Sequence, residues 1–254
     1  MSDDYDLDSG PDPATIAAAT PEPAVDGDTA PVEAVGIGPG DLDYLTPRGR
    51  RAITEADVVV GFETVVEFVR EVTTADLLTC GYRDEADALN GFAERVAAGE
   101  SGTAVLMGDP NHSGYQFVGK VQRWVDAPVR VIPGISSLQV AASRARTPME
   151  DTEFVTLHKS GDIDPDLQRL REHVGSRHLL VLPRPFDWMP EDIATELLEA
   201  GGSAGLSALV FERLTHEDEA VTQTTLGELA AIETTDTDSP FSDLSVLAVR
   251  ADAS

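Results

Sequence analysis

The sequence predicts an α/β protein of two domains, with a mostly parallel sheet in the first domain and a mixed sheet in the second. Short apolar runs alternate with helical segments through the first half of the chain, and this βαβ order is typical of a parallel sheet. The second half loses that regular alternation, and its run 219–224 alternates like a strand with one solvated face. We place the boundary near Pro148, so that the first domain covers 31–148 and the second covers 149–250.

Residues 1–30 are predicted to form a disordered acidic tail in front of the first domain. The segment is rich in Asp, Pro, Ala and Thr and contains no basic residue. A chain of this composition cannot bury enough apolar surface to offset the entropy of ordering it. We therefore expect the folded sequence to begin near Pro31.

Thr46 and Pro47 mark the clearest helix start of the first domain. Threonine is a good N-cap, and proline fits the first helical position. Buried apolar runs predict strands at 32–37, 56–61, 103–107 and 129–132. Helices are predicted at 47–55, 63–72, 84–99, 114–124 and 135–146.

Capping and stop signals mark the helices of the second domain as well. Thr225 is a suitable N-cap for a short helix, and Gly201 with Gly202 ends the helix before it. The predicted helices are 191–199 and 225–232. The predicted strands are 154–158, 178–182, 207–211, 219–224 and 244–249.

The charge of the chain excludes several classes of partner. Its 254 residues include 46 Asp and Glu but only 18 Lys and Arg, for a formal net charge of −28. Such a surface repels nucleic acid and anionic membranes. We interpret the acidity as adaptation to a salty, halophilic environment, where ions screen the self-repulsion. The alternative is an acidic protein adapted to a basic partner.

Composition also limits the compartment and the chemistry. The single cysteine, Cys80, excludes an internal disulfide and a structural zinc site of the usual multi-cysteine kind. No apolar run reaches the roughly 18 residues that a membrane span needs, and the N-terminus does not resemble a secretory signal. We expect a cytoplasmic protein without a membrane partner and without a bound metal.

The first motif is the glycine-rich segment 36–41, GIGPGD, directly after the first predicted strand. A dinucleotide-binding loop needs a third glycine at position 41. Asp41 stands there instead, and an acidic side chain is badly placed to hold a pyrophosphate. The segment is therefore either a ligand loop of another kind or a plain tight turn.

Two further motifs follow later strands. The segment 108–114, GDPNHSG, follows the third strand, and Asp109 could accept hydrogen bonds from a cationic amine or a ribose. The segment 133–139, PGISSLQ, follows the fourth strand and opens a helix, where exposed amides and hydroxyls suit a carboxylate or a ribose. A bare turn and a simple N-cap by Ser136 or Ser137 are the corresponding structural alternatives.

In order and spacing these motifs resemble the tetrapyrrole methylase family. The resemblance rests on VGIGPGD with LTPRG, then GDPNHSG, then PGISSLQ, and it covers about 32–250. Later segments fit as well, namely ERLT at 212–215 leading to Asp218 and Glu219, and FSDLS at 241–245 leading into the last strand. Within the family, the PGISSLQ and LTHEDE segments are most similar to cobalt-precorrin-7 carbon-5 methyltransferases. One departure is HKS at 158–160, where the family often has His-Gly-Arg.

The resemblance implies two α/β domains, S-adenosylmethionine as cofactor, a tetrapyrrole substrate and a homodimer. It implies that the three loops and the second domain line the cofactor site. The implied cofactor-binding residues are Pro39, Gly108, Asp109, His112, Ser113, Gly114, Ser136, Ser137, Leu182 and Phe211. Asp41 is the implied catalytic residue, with Tyr44 beside it on the substrate.

Arginines are the expected partners of the many carboxylates on such a ring. The candidates are Arg48, Arg83, Arg144 and Arg146, each with a surface ion pair as the alternative. The function expected is methylation of carbon 5 of precorrin-7 or its cobalt form. Alternatives are a methylase of the same fold that acts on another ring carbon or on a diphthamide precursor, and a binding module that has lost activity.

Overall fold

The computed structural model describes residues 30–252 except 82, 113, 160, 186 and 233–238. Apart from Ala30, the predicted tail lies outside the described residues. Contacts between Cα atoms divide the chain into two compact units, one ending at Ser136 and the other beginning at Ser137. This division falls earlier in the chain than the boundary near Pro148 expected from the sequence. No helix among the described residues is long and apolar enough to cross a membrane.

The first unit contains five strands in one fully parallel sheet. The strands are β1 (Val32–Gly36), β2 (Val58–Phe62), β3 (Asp76–Cys80), β4 (Gly102–Leu106) and β5 (Val129–Ile132). The helices are α1 (Pro47–Thr54), α2 (Glu63–Val69), α3 (Glu85–Ala97) and α4 (Tyr115–Trp124). The strand order β3-β2-β4-β1-β5 places β1 between β4 and β5. The carboxyl ends of these three strands therefore meet at one edge of the sheet.

Both faces of this sheet are covered, as expected for parallel strands. Val58 and Val60 belong to an apolar cluster with α3 and α4, whereas Val59 belongs to a second cluster with α1 and α2. The alternation follows from the strand period of two. Thr46 caps α1 as predicted, because its hydroxyl accepts a hydrogen bond from the Gly49 amide at 3.1 Å.

The second unit contains a mixed sheet of order β6-β7-β10-β8-β9. Its strands are β6 (Thr152–Thr156), β7 (His178–Leu182), β8 (Ser207–Glu212), β9 (Ala220–Thr225) and β10 (Ser245–Val249). Its helices are α5 (Ser137–Ala145), α6 (Asp164–His173), α7 (Pro190–Glu199) and α8 (Leu226–Ala230). β6 and β7 pair in parallel and the other neighbours are antiparallel. The predicted fold class is confirmed in both units.

Two elements were missed by the sequence prediction, β3 and α6. β3 is an edge strand whose residues are mostly exposed or half-buried, so it lacks the long apolar run of the other strands. α6 is mostly polar, and only Leu167 and Leu170 contribute apolar side chains from it to the core. Two buried apolar residues are too few to give this segment a recognisable helical period in the sequence.

Candidate functional site

Three glycines bring the ends of β1, β4 and β5 into direct backbone contact. A Cβ atom on Gly134 would lie 2.2 Å from the Gly108 carbonyl oxygen, and one on Gly36 would lie 2.5 Å from the same oxygen. Distances this short leave no room for any side chain. The loops that contain these glycines, 36–41, 108–112 and 133–136, therefore form one cluster of backbone, which we call the three-loop cluster.

Gly38 and Gly108 extend this cluster as a short antiparallel bridge. The Gly108 amide donates to the Gly38 carbonyl at 2.7 Å, and the Gly38 amide donates to the Gly108 carbonyl at 3.3 Å. Their φ angles of 93° and 65° are in the left-handed region that favours glycine. The nearest atom to a Cβ on Gly108 would be the Ser136 Cα at 3.9 Å. The backbone at Gly108 is thus open to a ligand on that side.

Asp109 ties two of these loops together. One carboxylate oxygen accepts from the Asn111 amide at 2.8 Å and from its side-chain Nδ2 at 3.0 Å, and the other accepts from the Gly134 amide at 3.0 Å. The residue is 7% exposed. The sequence suggested a loop carboxylate aimed at a ligand amine or ribose. In the structure the carboxylate oxygens accept from N–H groups of the protein itself, and Asp109 is part of the packed interior.

Two other residues of the 108–114 segment, His112 and Gly114, have different surroundings from Asp109. The Nδ1 atom of His112 lies 3.7 Å from the Asp109 carboxylate, which is longer than a hydrogen bond. A Cβ on Gly114 would lie 2.7 Å from the Leu106 side chain, so this glycine makes room for core packing rather than for a ligand. Ser113 lies outside the described residues.

The 36–41 loop continues into a short turn that carries the predicted substrate residues. Pro39 is buried. The exposed Asp41 caps a 3₁₀ turn, Leu42–Tyr44, by accepting from the Asp43 amide at 2.8 Å. Tyr44 is half-buried and packs on Gly38, where a Cβ would lie 3.0 Å from that of Tyr44. The loop and the turn therefore form one packed piece that presents Asp41 to solvent.

The 133–136 loop ends at the start of α5. Ser136 is buried and precedes the helix, and Ser137 is its first residue. The helix therefore begins two residues later than the predicted start at 135. The structure brings Ser136 next to Gly108, so the second and third predicted motifs do lie together.

In the second unit, Leu182 and Phe211 lie at the carboxyl ends of β7 and β8. Leu182 is half-buried, and its carbonyl accepts from the Leu157 amide at 2.8 Å. The Phe211 side chain is nearly inaccessible, because the residue is 1% exposed. Its backbone is therefore the part of Phe211 that could meet a ligand.

The four predicted substrate arginines are not equivalent. Arg144 forms an ion pair with Glu219, so its guanidinium is engaged within the protein. Arg146 is exposed at the end of α5 with a φ of 57°. Arg48 lies on α1 and Arg83 follows β3, and both are exposed.

Two titratable side chains near strand ends have shifted pKa values. Burial raises the pKa of the Cys80 thiol to about 12, so the thiolate that would act as a nucleophile is not formed near neutral pH. Burial lowers the pKa of His158, although its hydrogen bond to the Pro183 carbonyl and the charge of Asp243 act in the opposite direction. His158 is therefore neutral at pH 7.

Sequence reasoning placed the glycine-rich loops correctly but missed several residues that build them. Gly36 and Gly134 make the closest contacts, and Asn111 fills one side of the Asp109 carboxylate. The available signal was a glycine at the end of one buried strand and another two residues after the end of a second. The chemistry offered by the cluster is backbone N–H and C=O beside an open glycine, which suits a ligand recognised by hydrogen bonds to main chain.

Comparisons with known proteins agree with this architecture. Residues 32–230 match the family model for tetrapyrrole (corrin/porphyrin) methylases. A probable cobalt-precorrin-7 C(5)-methyltransferase of Methanocaldococcus jannaschii is 29% identical over 206 residues, which is 77% of this chain and 90% of that protein. A cobalt-precorrin-4 C(11)-methyltransferase of the same organism is 23% identical over 212 residues, 77% of this chain and 79% of that protein.

Solved structures show the same fold. The uroporphyrin-III C-methyltransferase of Thermus thermophilus, complexed with S-adenosylhomocysteine, superposes with a TM-score of 0.63 at 22% identity. The match covers 87% of this chain and 92% of that one. The family match spans most of the chain and includes all three loops of the cluster. The chain belongs to the tetrapyrrole methylases, and it is an S-adenosylmethionine-dependent C-methyltransferase.

Proposed function

We propose that this enzyme methylates carbon 5 of precorrin-7, or of its cobalt form, in cobalamin biosynthesis. The support is the Methanocaldococcus jannaschii relative, whose similarity extends over nine tenths of its length. The PGISSLQ and LTHEDE segments point to the same specificity. The structural observation that supports methyl transfer is the three-loop cluster. Its glycines leave main-chain groups exposed, and we propose that the cofactor binds there.

The residues present fit S-adenosylmethionine. We propose that the cluster holds it through main chain at Pro39, Gly108 and Ser136. The family resemblance names Leu182 and Phe211 as further contacts. His112, Ser113, Gly114 and Ser137 are further candidate contacts from the sequence. Asp109 holds the loops in place rather than contacting the cofactor, because its carboxylate oxygens accept hydrogen bonds from the Asn111 and Gly134 amides.

The protein's share of the reaction is alignment and exclusion of water. When bound, S-adenosylmethionine supplies an electrophilic methyl group on a sulfonium. The ring carbon is electron-rich, so little acid–base assistance is needed, and the rate comes from in-line placement in a dry site. We propose that Asp41 and Tyr44 face the ring and that Arg48, Arg83 and Arg146 are candidates for its carboxylates. Arg144 is engaged with Glu219 and holds structure instead.

The test is methyl transfer to purified ring intermediates. With labelled S-adenosylmethionine, we expect one methyl group on precorrin-7 or cobalt-precorrin-7, located at carbon 5 by NMR. A methyl group on another ring carbon would support a different specificity within the family. Transfer only to a diphthamide precursor would reject the tetrapyrrole, and cofactor binding without transfer to any of them would indicate a binding module.

We also propose that the enzyme is halophilic. Its net charge of −28 gives strong self-repulsion at low salt. The melting temperature should rise as potassium chloride increases from about 0.1 M, where the Debye length is about 10 Å, to about 1 M, where it is about 3 Å. The same series in sucrose controls for general solvent exclusion. A flat or falling melting temperature in potassium chloride would reject this proposal.

The location and assembly proposed for the enzyme are cytoplasmic and homodimeric. The location comes from the sequence, whose N-terminus does not resemble a secretory signal and which has no long apolar run, and the homodimer comes from the family resemblance. Sedimentation equilibrium at high salt measures the assembly directly, and a monomer at micromolar concentration would contradict it.

A further inference from the structure

The loop between β8 and β9 holds two residues in an unusual backbone conformation. Arg213 and Thr215 have φ angles of 44° and 73°. Among the described residues, Arg146 is the one other non-glycine residue with positive φ. For a β-branched residue such as Thr215 this conformation is a genuine outlier. Strain of this kind persists where the surroundings enforce it, and it is concentrated at functional sites.

Glu219 enforces the conformation from inside the loop. Its carboxylate accepts from the Thr215 amide at 2.7 Å and pairs with Arg144 of α5. The Glu219 side chain is 21% exposed and its contact with the Thr215 amide is partly buried, whereas the Arg144 side chain is 38% exposed. The Arg213 amide is held as well, because it donates to the Leu244 carbonyl at 2.9 Å. The backbone around Arg213 is therefore fixed by partners on α5 and at the start of β10.

The side chain of Arg213 is held much less firmly. Its Nε atom is buried, makes no hydrogen bond to the described residues and lies 3.0 Å from the Asp218 carboxylate, while the two side chains as a whole are 41% and 65% exposed. Exposed ion pairs contribute little to stability. A carboxylate from another molecule could therefore replace Asp218 at small cost. Arg213 thus combines a fixed backbone with a carboxylate partner, Asp218, that another carboxylate can displace.

We infer that Arg213 binds a carboxylate of the ring substrate and that Asp218 occupies its guanidinium until the ring arrives. This rests on the proposed function, since a cobalamin precursor carries many carboxylates. Arg213 follows β8 directly, at the carboxyl end of that strand. The chain has 18 Lys and Arg residues against 46 Asp and Glu residues. An arginine whose backbone is fixed and whose carboxylate partner can be displaced is therefore well suited to an anionic ligand. Arg144, nominated from the sequence, serves to hold this loop.

Opposite changes at the two members of the pair test the inference. Arg213→Gln should raise KM for the ring about tenfold, because a charge-assisted contact is lost, while the affinity for S-adenosylhomocysteine stays unchanged. Asp218→Asn should lower KM severalfold, because the competing carboxylate is gone. Uroporphyrin III, a polycarboxylate ring, serves as a binding probe that needs no turnover, and its affinity should change in the same two directions.

Arg70→Gln is the matched control, because Arg70 pairs with Glu67 at 2.8 Å and both side chains are more than half exposed. Arg213→Asn, which tolerates positive φ, separates loss of charge from loss of fold. The inference is wrong if Arg213→Gln and Arg213→Asn bind uroporphyrin III as wild type does, or if Arg70→Gln weakens binding equally. If the wild-type enzyme binds uroporphyrin III through Arg213 but methylates no precorrin, the proposed function fails and the arginine site stands.

Discussion

Gly134→Ala is expected to abolish detectable S-adenosylhomocysteine binding and to destabilise the protein by about 3 kcal/mol or more. The new Cβ would lie 2.2 Å from the Gly108 carbonyl and 2.8 Å from the Gly36 carbonyl. Both neighbours are backbone, so no side-chain rotation can relieve the overlap. The three loops must move apart, and the main chain proposed to bind the cofactor moves with them. Calorimetric titration and thermal unfolding measure the two effects.

Gly91→Ala is the matched control for this change. Gly91 lies within α3, and the nearest atom to a Cβ there would be the Leu78 Cδ1 at 3.9 Å. Alanine in a helix interior is favoured over glycine by roughly 0.5–1 kcal/mol. This variant should therefore be slightly more stable and should bind the cofactor normally. Wild-type affinity in Gly134→Ala would show that the three-loop cluster does not form the cofactor site.

Asp109→Ala is expected to weaken S-adenosylhomocysteine binding ten- to a hundredfold and to lower the melting temperature. The change leaves the Asn111 and Gly134 amides without their acceptor. Charge-assisted contacts of this kind contribute roughly 1.5–3 kcal/mol, and each 1.4 kcal/mol is a factor of ten in affinity. Asp109→Asn should also bind weakly, because one carboxylate oxygen becomes an NH₂ group facing an N–H donor.

Asp57→Ala distinguishes this effect from a general loss of stability. The Asp57 carboxylate also links two segments, by accepting from the Ser101 amide at 2.9 Å and from its hydroxyl at 2.7 Å. These residues precede β2 and β4, at the opposite edge of the same sheet. Asp57→Ala should lower stability and leave affinity unchanged. If it weakens binding as much as Asp109→Ala does, Asp109 has no specific part in the site.

The hydrogen bonds of Asp57 also give that control a pH signature. The amide and then the hydroxyl of Ser101 lower the pKa of Asp57 below its usual value of 3.8. The stabilisation is therefore complete above the usual pKa and is lost as the pH falls through the lowered one. The stability difference between wild type and Asp57→Ala should shrink in strong acid and stay constant near neutral pH.

Local signals in the sequence identified the fold class and most of the elements. The start of α1 is an example, since the Thr46 hydroxyl and Pro47 act within one turn of helix. The start of α8 is another, because Thr225 and Glu228 form a reciprocal capping box over three residues. Apolar runs identified the buried strands for the same reason. β3 and α6 escaped because an edge strand and a mostly polar helix bury too little apolar surface to show a period.

The sequence by itself determined that glycine-rich loops follow β1, β4 and β5, and the order of these motifs indicated the family. Only the tertiary structure decided what each residue in them does. The contact among Gly36, Gly108 and Gly134 depends on the strand order, which places β1 between β4 and β5. The role of Asp109 depends on a Gly134 amide far along the chain, and the role of Arg144 depends on Glu219. Capping and periodicity act over a few residues and can be read locally, whereas a hydrogen-bond partner from a distant loop exists only once the chain has folded.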